Sequence, residues 1–354
     1  MIREAIGHIA SGGTLNEGEA AEVMEELMTG VATPSQMGAF LAVLRIRPGG
    51  ETIEEIAGMA HVMREKAVQV HLGEQSRARA LDTCGTGGDQ AGTFNVSTGA
   101  GIIAAAAGAK VAKHGNRSAT SHCGSADVLE AMGMKIDLGP QEIARCVDEV
   151  GFGFIFSPAY HPAMKYIGPT RREVGIRTIF NILGPLTNPA HTSYQVLGVP
   201  DRSVMRKMGE VLLRLGCQHA LIVHGADGLD ECSLSAPTYV CEIRQGAETR
   251  EYSITPEDFG LPLISDRAAF KGGNAPESAE MLRTLLSDYS DNPKTHMLCL
   301  NAGAALYAND LAPSIHEGIK LAQSTLREGK ARRTLADVIE YTQFLCGNQR
   351  HSRD

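Results

Sequence analysis

Tryptophan is absent from this 354-residue chain, and aromatic residues make up only 5% of it. So little aromatic surface argues against ring stacking as the main binding device. The eight cysteines are scattered and include no C-x-x-C pair. They read as reduced thiols of a cytoplasmic protein, neither a disulfide framework nor a zinc site. Long apolar runs are also missing. The longest weakly apolar stretch, around residues 99–112, is Ala/Gly-rich and too short to span a bilayer. The N-terminal MIREAIGHIASGG has no cleavage signature. Nor is there an excess of positive charge: the net charge of −8 argues against a general nucleic-acid binder. An acidic protein that takes a polyanion must concentrate its cations locally or use Mg²⁺. No Walker sequence, G-x-G-x-x-G fingerprint, Ser-His-Asp set or histidine cluster with metal-ligand spacing stands out.

What is present is an ordinary globular composition, 43% hydrophobic and 21% charged, in a chain long enough for one large domain or two. Residues 1–66 read as a compact set of helices. Thr33 before Pro34 is an N-cap with proline at the first helical position, and Thr52 with Glu55 forms a capping box. Residues 67–79 are polar and read as a linker. After residue 80, short apolar segments alternate with helical ones, which predicts an α/β domain with a largely parallel central sheet. Residues 160–189 interrupt that alternation with consecutive helical pieces that could pack back on the N-terminal helices. The expected division is therefore a small helical domain, 1–70, completed by 160–189, and an α/β domain formed by 71–159 and 190–354.

Three clusters carry chemistry. The first is DTCGTGGDQAGTFNVST, residues 82–98. A glycine-rich turn that feeds a helix presents backbone N–H groups and a positive dipole end to an anion. Gly85, Gly87 and Gly88 can take φ > 0 and admit close approach, while Asn95, Ser97 and Thr98 supply polar side chains. The second is KHGNRSATSHCGSAD, residues 113–127. Lys113, His114 and Arg117 concentrate positive charge, Gly115 and Gly124 permit tight turns, and Asn116, Ser118, Ser121 and Ser125 add hydrogen-bonding groups. His122 reads as incidental and Cys123 as a small buried residue. In the third, HGADGLDECS, the adjacent Asp230 and Glu231 follow a strand, where paired carboxylates can hold Mg²⁺ against a substrate phosphate. Arg171 and Arg172 add a fork for a carboxylate or phosphate. Together these parts describe a phosphate-and-Mg²⁺ site facing an arginine-bearing helical domain. Such a site is poor in acid–base machinery and suits a leaving group that is itself a stable anion.

The stretches DTCGTGGDQAGTFNVST, KHGNRSATSHCGSADVLEAMG, HPAMKYIGPTRREVGIRTIFNILGPLTNP and HGADGLDE, in that order, resemble the anthranilate phosphoribosyltransferases. The resemblance covers nearly the whole chain. It implies the nucleoside phosphorylase/phosphoribosyltransferase-like fold, a cytoplasmic homodimer formed through the helical domain, and transfer of phosphoribose from 5-phosphoribosyl 1-pyrophosphate (PRPP) to anthranilate in tryptophan biosynthesis. It admits an anthranilate synthase component as a further partner, but no nucleic acid and no membrane. For PRPP it implies Gly85, Gly88, Asp89 and Thr93, then Asn95, Val96, Ser97 and Thr98. Lys113, His114, Gly115, Asn116, Arg117 and Ser118, followed by Ala119, Thr120, Ser121 and Ser125, complete that set. Gly85, His114, Asn116 and Arg171 would contact anthranilate, and Ser97, Asp230 and Glu231 would hold Mg²⁺. No residue is assigned as acid or base. A pyrimidine nucleoside phosphorylase, or a silent paralogue that binds nucleic acid, is the alternative.

Overall fold

The computed structural model describes residues 1–118 and 123–351. Four helices, Ile2–Ala10, Glu17–Thr29, Pro34–Ile46 and Ile53–Glu65, open the chain. Both expected caps are made. Thr33 accepts from the Gln36 amide at 3.3 Å, and Gln36 returns the bond to the Thr33 amide at 2.9 Å. Thr52 and Glu55 do the same at 3.2 and 2.8 Å. Met24, Leu27, Phe40, Leu41, Ile56 and Met59 bury the facing stripes of these helices. Ile167, Phe180 and Leu183, from the helical interruption, share that core. The helix Met164–Val174 lies against Pro34–Ile46, with the Thr170 hydroxyl 3.9 Å from the Met37 sulfur.

Residues 67–79 are less free than a polar linker. The Val68 and Val70 amides donate to the carbonyls of Tyr160 and Pro189, and Glu74–Ala78 forms a helical turn. Val70 is buried and its amide needs a partner, which the returning chain supplies at Pro189.

Seven strands follow: β1 Ala80–Gly85, β2 Lys110–Gly115, β3 Phe152–Phe156, β4 Tyr194–Gly198, β5 His219–Gly225, β6 Thr238–Arg244 and β7 Arg250–Ile254. They form one sheet in the order β3-β2-β1-β4-β5-β6-β7. The first five are parallel, as the alternating pattern predicts; β6 and β7 add an antiparallel edge. Side chains alternate between the two faces of the sheet. Leu81, Val111, Val196 and Leu221 pack beneath the helices Val96–Ala106 and Pro293–Ala308. Ala80 and Ala112 face the side of Pro140–Val150, and Leu197, Ala220 and Ile222 face Met205–Arg214. Among the described residues no helix is long and apolar enough to cross a membrane.

The antiparallel edge carries one buried acid. Glu242 on β6 accepts from Tyr307 at 2.7 Å and Tyr252 at 3.0 Å, and pairs with His219 Nε2 at 3.1 Å. Burial by itself would raise its pKa, but these three partners hold the carboxyl down to about 2. A carboxylate depressed on folding stabilises the protein above its unfolded pKa, about 4.3, and loses that contribution as pH falls through the folded value. Glu242→Gln should therefore lower stability at neutral pH by about 3 kcal/mol. It should also flatten the loss of stability between about pH 4.5 and 2, measured by denaturant unfolding across that range.

Candidate active site

The strand order reverses between β1 and β4. The connection leaving β1 runs through Val96–Ala106 on one face, and that leaving β4 runs through Met205–Arg214 on the other. Divergence of two adjacent connections opens a crevice at the C-terminal strand ends, where α/β sheets bind ligands. The last residues of the two strands, Gly85 and Gly198, are paired in register. A Cβ on Gly198 would stand 1.5 Å from the Asp230 carbonyl oxygen, and one on Gly85 would stand 2.5 Å from Asp230 Oδ2. The missing side chains thus let the loop after β5 settle across both strand ends.

That loop is held from both sides. The Gly87 amide donates to Asp230 Oδ2 at 2.9 Å, and the Ser97 amide to Glu231 Oε1 at 3.2 Å. Asn301 grips the next peptide, accepting from the Cys232 amide at 2.9 Å and donating to the Cys232 carbonyl at 3.0 Å. Surrounding protein, and then Asp89 opposite, push the Asp230 carboxyl upward. Glu231 is raised for the same reasons, burial first and then Asp230 beside it, with Lys113 opposing. Asp89 Oδ2 is buried without a hydrogen-bond partner. Three carboxylates gathered in this way describe a place short of positive charge.

The first cluster lies as the sequence places it, with one difference. Gly87 and Gly88 adopt φ of +67° and +82°, whereas Gly85 does not take a positive φ and serves close approach instead. Asn95 precedes the helix and ties it to the second cluster by donating to the Cys123 carbonyl at 3.0 Å. Ser97 lies at the helix start, and Thr98 is buried with its hydroxyl unpartnered. Thr93 bridges to Lys271. The Val96 side chain is in the apolar core, and its amide donates to the Phe94 carbonyl at 2.7 Å.

In the second cluster, Lys113 and His114 belong to β2 and are buried. Lys113 Nζ donates to the Thr83 carbonyl and lies 3.2 Å from Ser97 Oγ, within the crevice. Gly115 ends the strand, and Asn116 and Arg117 are exposed beyond it. Arg117 is occupied elsewhere, paired with Asp127 at 2.8 Å and Glu130 at 2.9 Å. The Ser118 amide donates to Asp127, and Ser125 donates to the Asn116 carbonyl at 3.2 Å. Ala119, Thr120, Ser121 and His122 lie outside the described residues. Arg171 is half-buried on Met164–Val174, its guanidinium 5.0 Å from the Phe180 ring centre, and burial lowers its pKa. Arg172 is exposed.

Five groups escaped the sequence reading. His161 Nε2 lies 3.2 Å from His114 Nε2, and Ser157 Oγ lies 2.8 Å from the same nitrogen. Burial, and then His161, push His114 well below the ordinary imidazole range; burial pushes His161 down to about 4. Both rings are neutral at neutral pH and offer hydrogen bonds without charge. Asp82, wholly buried, accepts from the His114 amide at 3.2 Å and from Asn188 at 2.8 Å, which fixes the end of β2 beside β1. Arg177 reaches the Gly87 and Gly88 carbonyls. His161 and Asn188 stand in the quoted HPAMK and LTNP stretches, so the signal was present without a spacing rule to read it.

Among the described residues no group of three or more His, Cys, Asp or Glu side chains could hold a metal ion. The Ser97 hydroxyl with Asp230 and Glu231 is nonetheless an all-oxygen set. Mg²⁺ binds such sets through one or two carboxylates and completes its shell with water and substrate phosphate. The unpartnered Asp89 oxygen and the raised carboxyls of Asp230 and Glu231 fit a cation there.

A glycine turn facing carboxylates, on an α/β domain beside a helical bundle, fits a glycosyl transferase. Residues 3–67 match the helical bundle domain of the glycosyl transferase family, and residues 77–332 match its a/b domain. The anthranilate phosphoribosyltransferase of Roseiflexus sp. (strain RS-1) is 50% identical over 338 residues, 96% of this chain and 97% of the relative. That of Symbiobacterium thermophilum is 48% identical over 97% of this chain and 98% of the relative. The Thermus thermophilus enzyme of the same name superposes with a TM-score of 0.88 at 41% identity, over 96% and 99% of the two chains. The Saccharomyces cerevisiae enzyme, solved in complex with PRPP and Mg, gives 0.86 at 26% identity, over 97% and 98%. The chain belongs to the anthranilate phosphoribosyltransferase family.

The packing at Gly198 gives a direct test of the crevice. Gly198→Ala should displace the Asp230 loop and reduce turnover about a hundred-fold, the scale of an ångström-sized misplacement. Steady-state rates, with circular dichroism as a check on folding, measure the effect.

Proposed function

We infer that the chain transfers the phosphoribosyl group of PRPP to the amine of anthranilate, giving N-(5-phosphoribosyl)anthranilate and pyrophosphate, in tryptophan biosynthesis. The observation that carries this reading is the Asp230–Glu231 loop lodged across Gly85 and Gly198, facing the glycine turn and the start of the Ser97 helix. The turn and helix start hold the diphosphate and ribose through Gly85, Gly88, Asp89, Thr93 and the 95–98 backbone and side chains. Lys113 contributes charge at the crevice wall. Ser97, Asp230 and Glu231 hold Mg²⁺, which when bound neutralises charge on the departing pyrophosphate.

Arg171, Asn116, His114 and Gly85 hold anthranilate. Arg171 has no carboxylate partner among the described residues and stays charged, so its fork suits the substrate carboxylate. The neutral His114, and His161 beside it, suit an uncharged aryl amine. Such an amine needs no strong base before attack, because its proton becomes acidic only as the C–N bond forms. Positive charge develops on the ribose in an oxocarbenium-like transition state, and catalysis rests on positioning and electrostatic stabilisation. Exclusion of water protects the donor from hydrolysis.

Residues 1–70 with 160–189 act as one helical domain, supported by the shared core of Phe40, Ile167 and Leu183. Val31 and Ile46, 71% and 75% exposed on that domain, support a homodimer through it. Eight free cysteines support a reducing, cytoplasmic setting.

The test is loss of anthranilate fluorescence on mixing the protein with PRPP and Mg²⁺, with EDTA as control. Rapid loss that EDTA abolishes is expected; no loss from folded protein overturns the reading. In the same assay Asp230→Asn should slow turnover roughly ten- to a thousand-fold. Arg171→Ala should raise the anthranilate KM about ten- to a hundred-fold with little change in the PRPP KM.

A further inference from the structure

We propose that Arg177 is a positioning residue for the ribosyl donor: it turns two peptide groups of the glycine loop so that their N–H groups face the diphosphate. This rests on the donor reading of the same crevice. Arg177 follows the helix Met164–Val174 and its closing residue Gly175, so it comes from the helical side. Nη1 donates to the Gly88 carbonyl at 3.3 Å and the Gly87 carbonyl at 3.4 Å, and Nη2 to the Gly87 carbonyl at 3.4 Å.

In a trans peptide the C=O of one residue and the N–H of the next point in opposite directions. Carbonyls of Gly87 and Gly88 drawn to one guanidinium therefore turn the amides of Gly88 and Asp89 away from it. The Gly87 amide is already committed to Asp230. The amides of Gly88 and Asp89 donate to no other described residue. Successive N–H groups in a turn can form a concave anion site, and the chain turns here through Gly87 and Gly88, with φ of +67° and +82°.

The charge of the guanidinium is also unspent. Arg117 is paired with two carboxylates, whereas the hydrogen bonds of Arg177 all go to neutral carbonyls. Its place against the loop is close: a Cβ on Gly88 would stand 2.1 Å from Nη1. Without the guanidinium, glycine peptides rotate freely, and the two amides must be ordered when the donor binds.

The test compares the full-length enzyme with Arg177→Ala and Arg177→Lys. Titration calorimetry with PRPP and Mg²⁺ and steady-state kinetics in both substrates are the readouts. For Arg177→Ala the expected result is a PRPP KM and Kd raised about ten- to a hundred-fold. The anthranilate KM and the thermal midpoint should stay at wild-type values. Lysine, a point charge without a fork, should restore only part of the loss. Unchanged donor affinity in Arg177→Ala, an effect confined to anthranilate, or full rescue by lysine would each overturn the proposal. Wild-type protein that fails to take up PRPP overturns the donor reading itself, and the inference with it, before any variant is compared.

Discussion

The meeting of two strand ends governs the rest of the molecule. Gly85 and Gly198 lie side by side, and the space their missing side chains leave is filled by the backbone and carboxylate of Asp230. Main chain against main chain at this distance tolerates no Cβ, so the position of the acidic loop is set by contact and not by side-chain preference. The glycine turn then takes its place from the acidic loop, through the Gly87 amide on Asp230. The helix that follows is joined to the same loop through the Ser97 amide on Glu231.

Around that contact the sheet supplies rigidity. Lys113 and His114 lie on β2 itself, so both are part of the sheet and do not depend on loop order. Asp82 and Asn188 bind that strand end to the returning chain in a buried, hydrogen-bonded set. Buried polar groups that are satisfied in this way specify a single arrangement. The acidic loop is anchored at both ends because it joins parallel β5 to antiparallel β6. Asn301 then fixes the peptide just beyond Glu231. The helical side contributes from outside this frame, bringing Arg177 onto the glycine loop and Arg171 from the neighbouring helix.

Much of this was legible beforehand, and the legible parts share a local cause. Thr33–Pro34 and Thr52–Glu55 mark helix starts because capping is a matter of three or four adjacent residues. The glycine turn before a small-residue helix is legible for the same reason. The antiparallel edge was not legible. The strand Thr238–Arg244 looks like any other short apolar segment, and its direction depends on the hairpin that leads into it. Lys113 reads equally well as a loop residue or a strand residue, and it is the pairing with β3 that carries β2 as far as Gly115.

By itself the sequence determined the helix caps, the alternation that yields an α/β domain, and the identity of the glycine-rich and acidic stretches, because each is set by neighbours along the chain. Only the tertiary structure decided that Asp89 faces Asp230, that His161 lies against His114, that Arg117 is consumed by Asp127 and Glu130, and that Arg177 lies on the glycine loop. Apart from that of Arg117, whose partners lie on the helix that follows its own loop, those pairings join residues from different strand ends and from the helical insertion. Whether a charged side chain is spent on a partner or left for a ligand depends on distances across the fold, and no local spacing encodes them.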